Sequence, residues 1–174
     1  MKKLTIPVLF IGTLVMITVM AKTGASLKTS TTPKGILNLE FAYDTVKTNT
    51  ILNAWAATPA VNNIEAAKNN TYYDFLFLSF YALFLFFICK KIAQLNHSKI
   101  GLLIANGALA AGVLDIAENL GMLATLSNHS SNTIALFTTF FAAVKWVLAI
   151  IAVLYVLVGV VSLIMQKKLN QLMA

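Results

Sequence analysis

Three residue types are scarce or missing in this chain. It has no arginine, one cysteine and only six acidic residues among its 174. The single cysteine, Cys89, excludes a disulfide framework within the chain. The sequence also has no glycine-rich phosphate loop, HExxH zinc motif or GxSxG nucleophile motif, so these signatures of nucleotide binding and hydrolysis are absent from it.

Hydrophobic side chains are what the chain has in excess. They make up 59% of the residues, charged side chains only 11%, and the mean hydropathy is +0.80. A water-soluble domain of this size is far more polar. The composition therefore predicts an integral membrane protein.

Four apolar runs account for this composition. They cover about residues 4–21, 72–91, 99–126 and 133–165, and the helix of the second run is predicted to begin near residue 62. Each run is long enough for a helix to cross ~30 Å of hydrocarbon. The first run also has the lysines and the small-residue end that are typical of a secretory signal peptide, but we interpret it as a retained anchor. The sequence thus predicts a single all-α membrane domain, residues 1–174, built as a four-helix bundle.

The lysines gather at the ends of the apolar runs and indicate the topology. With a cytoplasmic N-terminus, the cytoplasmic side holds seven lysines and no acidic residue. The segment 22–71 on the other side has five lysines, which weigh little because the positive-inside rule applies to short loops. His97 and His129 then lie on opposite faces and cannot share a metal ion. We predict a bacterial cytoplasmic membrane protein with both termini cytoplasmic, whose net charge of +7 reflects topology rather than a nucleic-acid partner.

The segment 22–71 is predicted to form a small extracytoplasmic cap between the first and second spans. Residues 22–35 are rich in Ser, Thr, Gly and Pro, so an extended linker is expected, and "ILNLEFA" alternates as a short extended piece would. "DTVKTNTILNAW" has the apolar spacing of a helix, with Asp44 as its N-cap and Trp55 at its end. This helix either lies in the membrane interface or packs on the top of the bundle.

The third run carries charged residues where hydrocarbon is expected. Asp115, Glu118 and Asn119 lie three and four residues apart, so a helix places them on one side. Counting along the helices from the two short loops puts Lys145 and Asp74 at the depth of Asp115. A charged side chain facing lipid costs ~2.5–3.5 kcal/mol on insertion scales, so these faces are predicted to point inward and meet.

These counts predict one polar cluster near the outer face, opening outward as a cleft. Its predicted members are Asp74, Asp115, Glu118, Asn119 and Lys145. Supporting positions are Asn70, Thr71, Tyr81 and Trp146. Three carboxyl groups against one ammonium group leave an excess of negative charge, so a proton, a bound cation or water is expected to complete the cluster. No metal-ligand set and no cofactor is predicted.

Several short motifs occur together in one order along the chain. They are "LEFA", a short helix ending in Trp55, "YDFLFLSFYAL", "LDIAENL" and "FFAAVKW". In this combination the chain resembles uncharacterised bacterial four-span membrane proteins over residues 35–155. The resemblance implies a four-span membrane fold and attaches no activity to it.

Several functions are compatible with a buried polar cluster of this kind. The leading hypothesis is a non-catalytic accessory or binding module that holds a small ligand or a lipid. The alternative is a membrane-embedded enzyme acting on lipid head groups, since paired carboxyl groups and a lysine can perform acid–base chemistry. An ion or proton pathway is disfavoured because only Asn106 and Tyr81 are polar in the inner half of the spans. Buried charges can also serve only to fix how helices assemble. The expected partners are membrane lipids and a membrane protein or a second copy of the chain.

Overall fold

The structure is all-helical. The computed structural model describes residues 4–58 and 61–172, and the side chains of all of these except 166–170 and 172. Its helices are α1 (Thr5–Thr23), α2 (Ile36–Glu40), α3 (Thr45–Ala56), α4 (Asn63–Leu95), α5 (Lys99–Leu126) and α6 (Asn132–Leu172), with a 3₁₀ turn at Ala25–Leu27. No strand occurs within these ranges, and the all-α prediction is confirmed. Lys2 and Lys3, which were used to predict the topology, lie outside the described residues.

Four of the helices, α1, α4, α5 and α6, are long and apolar enough to cross a membrane. Helix α4 begins at Asn63, more than two turns before its apolar run, because the side chain of Asn62 caps it by accepting a hydrogen bond from the Glu65 backbone N–H. Its 33 residues span ~50 Å at the helical rise. Helix α4 therefore carries a polar half, which the cap contacts, and an apolar half.

The packing of the bundle is centred on α5, which lies between α4 and α6. Small residues allow this close approach, since a Cβ atom added to Gly112 on α5 would come within 2.8 Å of the Ala82 Cβ on α4. Helix α1 packs mainly against α4, with the rings of Phe10 and Phe84 5.2 Å apart. One face of α5 carries small and polar residues, all of them buried: Ala108, Ala111, Gly112, Asp115, Glu118, Asn119 and Met122.

Residues 24–58, called the cap below, fold over one end of the bundle. The prediction that "ILNLEFA" is extended is wrong, because Gly35 adopts a φ of +62° and turns the chain into the short helix α2. Helix α3 does begin after Asp44, whose side chain accepts a hydrogen bond from the Lys47 backbone N–H. The 3₁₀ turn likewise replaces part of the linker that was expected to be extended.

Trp55 fixes the cap to the bundle. Its side chain is fully buried in a core that joins cap residues to α4 and α5 through Ala67, Met122 and Leu126. Its Nε1–H donates hydrogen bonds to the Leu27 carbonyl oxygen at 3.0 Å and to Thr32 Oγ1 at 3.1 Å. Trp55 therefore packs the end of α3 on the bundle, and the placement of α3 in a membrane interface stays a prediction.

Candidate functional site

Lys145 is the centre of a buried ionic network. Its Nζ lies 2.6 Å from Asp115 Oδ1 and 2.6 Å from Glu118 Oε2, so α6 is tied to two positions of α5. The spacing of Asp115 and Glu118, three residues apart on one helix, is what presents both carboxyl groups to a single ammonium group. The meeting of Lys145 with Asp115, predicted from helix register, is found in the structure.

Two further side chains orient the carboxyl groups. Tyr81 on α4 donates a hydrogen bond to Asp115 Oδ2 at 2.7 Å, so both oxygens of Asp115 have partners. Asn119 on α5 donates from Nδ2 to Asp74 Oδ2 on α4 at 2.8 Å. Helices α4, α5 and α6 therefore all contribute to the site, and the five predicted residues are buried there. Among the described residues, no hydrogen bond or ion pair joins the Asp74–Asn119 pair to the network around Lys145.

The network has a further member, Glu40 of α2, that the sequence reasoning missed. Glu40 Oε2 lies 3.8 Å from Lys145 Nζ and accepts a hydrogen bond from Trp146 Nε1 at 3.2 Å. Its backbone carbonyl oxygen also accepts a hydrogen bond from Thr139 Oγ1 at 3.0 Å. The four carboxyl groups of Glu40, Asp74, Asp115 and Glu118, together with Lys145, are called the acidic cluster below.

The positions of the acidic residues in the sequence could have identified Glu40 as a member of the site. Of the six acidic residues, Asp44 and Glu65 lie at helix N-termini, where a negative charge is favourable. The other four are buried and form the acidic cluster. An acidic side chain inside the otherwise apolar "LEFA", with no helix N-terminus to explain it, indicates a buried cationic partner.

The supporting positions divide into two groups. Tyr81 and Trp146 contact the acidic cluster directly, as described above. Asn70 instead donates from Nδ2 to the Met20 carbonyl oxygen at 3.0 Å and to Thr23 Oγ1 at 2.7 Å, which ties the end of α1 to α4. Thr71 donates to the Ala67 carbonyl oxygen within its own helix. Asn70 therefore joins two helices, Thr71 bonds within α4, and no hydrogen bond among the described residues joins either of them to the acidic cluster.

The acidic cluster is covered rather than open. None of its five residues is more than 7% exposed, and Glu118 is fully buried. The sequence predicted an outward-facing cleft because counting along the long helices does not show where the cap lies. Helix α2 lies over the position of that cleft and contributes Glu40 to the charges beneath it.

Some hydrogen-bond acceptors in the site have no partner. Glu118 Oε1 and Asn119 Oδ1 are buried and accept no hydrogen bond from the described residues. Glu118 Oε2 has only the ion pair with Lys145, which lies outside hydrogen-bond geometry. Buried acceptors without donors cost free energy, about 1–3 kcal/mol each. Four carboxyl groups also face one ammonium group, so the acidic cluster lacks both donors and positive charge.

The charge on Glu40 makes the cap sensitive to pH. Burial raises the pKa of the Glu40 carboxyl above its ordinary value of 4.5, and the opposing attraction of Lys145 is smaller. Because the pKa is raised, the folded cap binds this proton more tightly than the unfolded chain does. As the pH rises above 4.5, ionisation of Glu40 therefore reduces the stability of the cap. Asp115 faces the same carboxyl group and repels it when both are charged, which raises the pKa of Glu40 further.

We expect Glu40→Gln to remove this loss of cap stability at higher pH. Hydrogen-exchange protection factors of the amides in residues 36–56, corrected for intrinsic rates, should fall more steeply in the wild type than in E40Q between about pH 5 and pH 8. Glu65→Gln, at an exposed position on α4, is the matched control and should follow the wild type. Cap protection that rises with pH in the wild type but not in E40Q would mean that Glu40 stabilises the cap as a carboxylate, contrary to this expectation.

Among the described residues, no group of three or more His, Cys, Asp or Glu side chains is arranged to hold a metal ion. The ammonium group of Lys145 instead lies between the carboxyl groups of Asp115 and Glu118. What the site can do chemically is to hold a positively charged hydrogen-bond donor, because its unsatisfied atoms are acceptors. No family model, no curated protein and no solved structure matches this chain.

Proposed function

We propose that this protein is a non-catalytic membrane module that binds a primary ammonium group in its acidic cluster. The observation that carries the proposal is the pair of fully buried acceptors, Glu118 Oε1 and Asn119 Oδ1, that lack donors beside an excess of carboxyl groups. A primary ammonium ion brings one positive charge and three N–H donors, which are the two things that the acidic cluster lacks.

The position of the acidic cluster supports a ligand that comes from the membrane surface. With the lysine-flanked ends of the long helices at the cytoplasmic face, about 20 residues of helix cross the hydrocarbon. Counted from Lys99 along α5, these residues end near Asn119. Counted back from Lys91 along α4, they end near Thr71. The acidic cluster then lies at the outer boundary of the hydrocarbon, level with lipid head groups, in a bacterial cytoplasmic membrane protein with both termini inside.

The cap would control access to this site. Helix α2 covers the cluster, and Glu40 contacts Lys145 and Trp146 directly. A ligand arriving from the outer side requires α2 to move, and its ammonium group would then compete with Lys145 for the same carboxylates. Opening of the cap and binding are therefore coupled in this proposal.

The inner half of the bundle argues against an ion pathway. Below the acidic cluster, Leu85, Cys89, Ala105, Ala108 and Ala152 form an apolar core, and the buried hydroxyl of Tyr155 is a polar group packed against it. A charged species in this region would lose its hydration without gaining enough polar partners to replace it. The enzyme alternative lacks a positive observation, because the acidic cluster and the side chains hydrogen-bonded to it contain no serine, cysteine or histidine.

Binding of two matched amines tests the proposal. We expect butylammonium to raise the thermal unfolding midpoint of the purified full-length protein saturably, because a ligand that binds only the folded state stabilises it. Butyltrimethylammonium has the same charge and chain but no N–H donor, and we expect little or no shift with it. Glu118→Gln should weaken butylammonium binding about 10–100-fold, as expected for loss of a charge-assisted hydrogen bond of ~1.5–3 kcal/mol.

Glu65→Gln is the control for a change of charge away from the site and should leave the shift unaltered. Equal shifts with both amines, or no shift with either, would refute the proposal of a primary ammonium site. Chemical conversion of an added ethanolamine lipid, followed by mass spectrometry, would instead support the enzyme alternative. Native mass spectrometry gives a second measure of binding that does not depend on the unfolding midpoint.

A further inference from the structure

A second polar cavity lies on the side of α2 that faces away from Glu40. It has a volume of about 360 Å³ and is lined by the turn before α2, by α2 itself and by α3. Its lining includes Lys34, Asn38, Phe41 and Lys47. Glu40 belongs to the acidic cluster and is not part of this lining, so the two sites share α2 but not its side chains.

The charge of this cavity is positive. Lys34 and Lys47 are the charged residues among the described lining, and both are exposed. The two acidic residues of the cap are engaged elsewhere, since Glu40 contacts Lys145 and Asp44 caps α3. The cavity therefore attracts an anion, and no carboxylate in the described lining opposes it.

Two contacts position the donors of the cavity. The Lys34 backbone N–H donates to Asn38 Oδ1 at 2.9 Å, which leaves the Asn38 Nδ2 group as the donating end of that amide. The Lys47 Nζ lies 3.7 Å from the centroid of the Tyr43 ring, a cation–π contact that restricts where this ammonium group can lie. The lining thus offers an oxyanion one amide donor and two lysines, of which Lys47 holds its ammonium group beside the cavity over the Tyr43 ring.

The other side of the cavity is apolar. Leu37, Phe41 and Ile51 line it, and Phe41 is 44% exposed although it is aromatic. Two more large apolar side chains of the cap, Tyr43 and Val46, are 50% and 74% exposed. Exposed apolar side chains beside a cationic cavity are typical of a surface that contacts lipid. Helix α2 is level with Trp146, a residue type that is enriched at the membrane–water boundary.

From this combination we infer that the cap cavity binds the phosphate group of an anionic membrane lipid. Lys34, Lys47 and the Asn38 amide hold the phosphate diester, and Phe41 contacts the start of an acyl chain. A lipid is the source rather than free phosphate, because the apolar lining has no role with an inorganic anion. The inference shares with the proposed function only the placement of the membrane, and the two sites are tested with ligands of opposite charge.

Retention of a defined lipid tests the inference. The full-length protein is placed in phosphatidylcholine nanodiscs with and without phosphatidylglycerol, and bound lipids are counted by native mass spectrometry after release. We expect the wild type to retain phosphatidylglycerol selectively and K34Q/K47Q to bind it about thirtyfold more weakly, because the phosphate loses two charged hydrogen-bond donors. The matched control, K22Q/K28Q, removes the same charge from two exposed lysines outside the described lining and should retain the lipid like the wild type.

A second variant separates lipid from free phosphate. Phe41→Gln should weaken phosphatidylglycerol retention while leaving any binding of glycerol phosphate unchanged. An equal loss in both lysine variants would mean that the cap attracts anionic lipid only through its net charge, which would overturn a specific site. Competition by glycerol phosphate at the affinity of the lipid would overturn the lipid assignment. Retention that is unchanged in K34Q/K47Q would overturn the inference as a whole.

Discussion

Lys145→Met is expected to prevent most of the protein from reaching its folded state. The substitution removes the ammonium group that touches Asp115, Glu118 and Glu40, and it leaves their carboxyl groups buried together. Breaking a buried ion pair by removing one partner costs about 3–5 kcal/mol, which is a large part of the stability of a typical domain. The measurement is the yield of monodisperse protein in detergent and its thermal unfolding midpoint. Lys28→Met, at an exposed position of the cap, is the control and should behave like the wild type.

Neutralising the partners should reverse most of this loss. In the triple variant K145M/D115N/E118Q the Tyr81 hydroxyl can still donate to the side-chain oxygen at position 115, while two of the uncompensated carboxyl groups are gone. We expect it to recover the fold and to lose butylammonium binding. A triple variant that stays as unstable as K145M would argue against charge as the cause. One that folds and still binds the amine would argue against the acidic cluster as the binding site.

Trp55→Ala is expected to open the cap while leaving the bundle folded. Trp55 is fully buried and its Nε1–H holds the turn at Leu27 and Thr32, so truncation removes both a core side chain and two hydrogen bonds. Replacing a buried aromatic residue with alanine costs about 3–5 kcal/mol, and here the loss falls on the small core that the cap shares with α4 and α5. Hydrogen exchange should report it as protection factors about 100- to 1,000-fold lower in residues 25–56.

Two further variants serve as comparisons for Trp55→Ala. Trp55→Phe keeps most of the buried area and loses the hydrogen bonds, so an intermediate effect is expected. Val46→Ala changes a side chain that is 74% exposed and should leave the cap protected. Equal loss of protection along α4, α5 and α6 in W55A would show that the cap and bundle unfold as one unit, contrary to the expectation.

How much of the site is predictable from the sequence depends on which contacts are set by helix register. Asp115 and Lys145 lie on helices joined by a short loop, so counting residues from that loop was enough to place them together. The same count on the other hairpin placed Asp74 level with Asp115, whereas in the structure Asp74 pairs with Asn119, one turn further along α5, and Tyr81 pairs with Asp115. Glu40 did not, because its position depends on how a five-residue helix turns at Gly35 and docks on α6. No period or register links that docking to the sequence.

The difference between contacts set by helix register and contacts set by docking also explains why the acidic cluster was wrongly expected to be exposed. Helical periodicity identifies which face of α5 is polar, but it does not tell what lies over that face. The expected open cleft depended on where α2 lies, and α2 has only five residues, too few for a periodic pattern to be read. Asn70 is a similar case, since its partners at Met20 and Thr23 belong to α1, whose packing on α4 has no short loop to set its register.

The contacts of Glu40 have a consequence for how the chain is assembled in the membrane. Its partners Thr139 and Trp146 follow it by 99 and 106 residues, and the start of α3 likewise bonds to Asn132, 87 residues after Thr45. The cap is synthesised directly after the first long helix, yet the side chains that hold it arrive with the last one. Until α6 is in place, the carboxyl group of Glu40 has no ammonium partner, and α2 lacks its contacts with α6. Closure of the cap therefore reports that the last of the four long helices has been synthesised and has packed against α5.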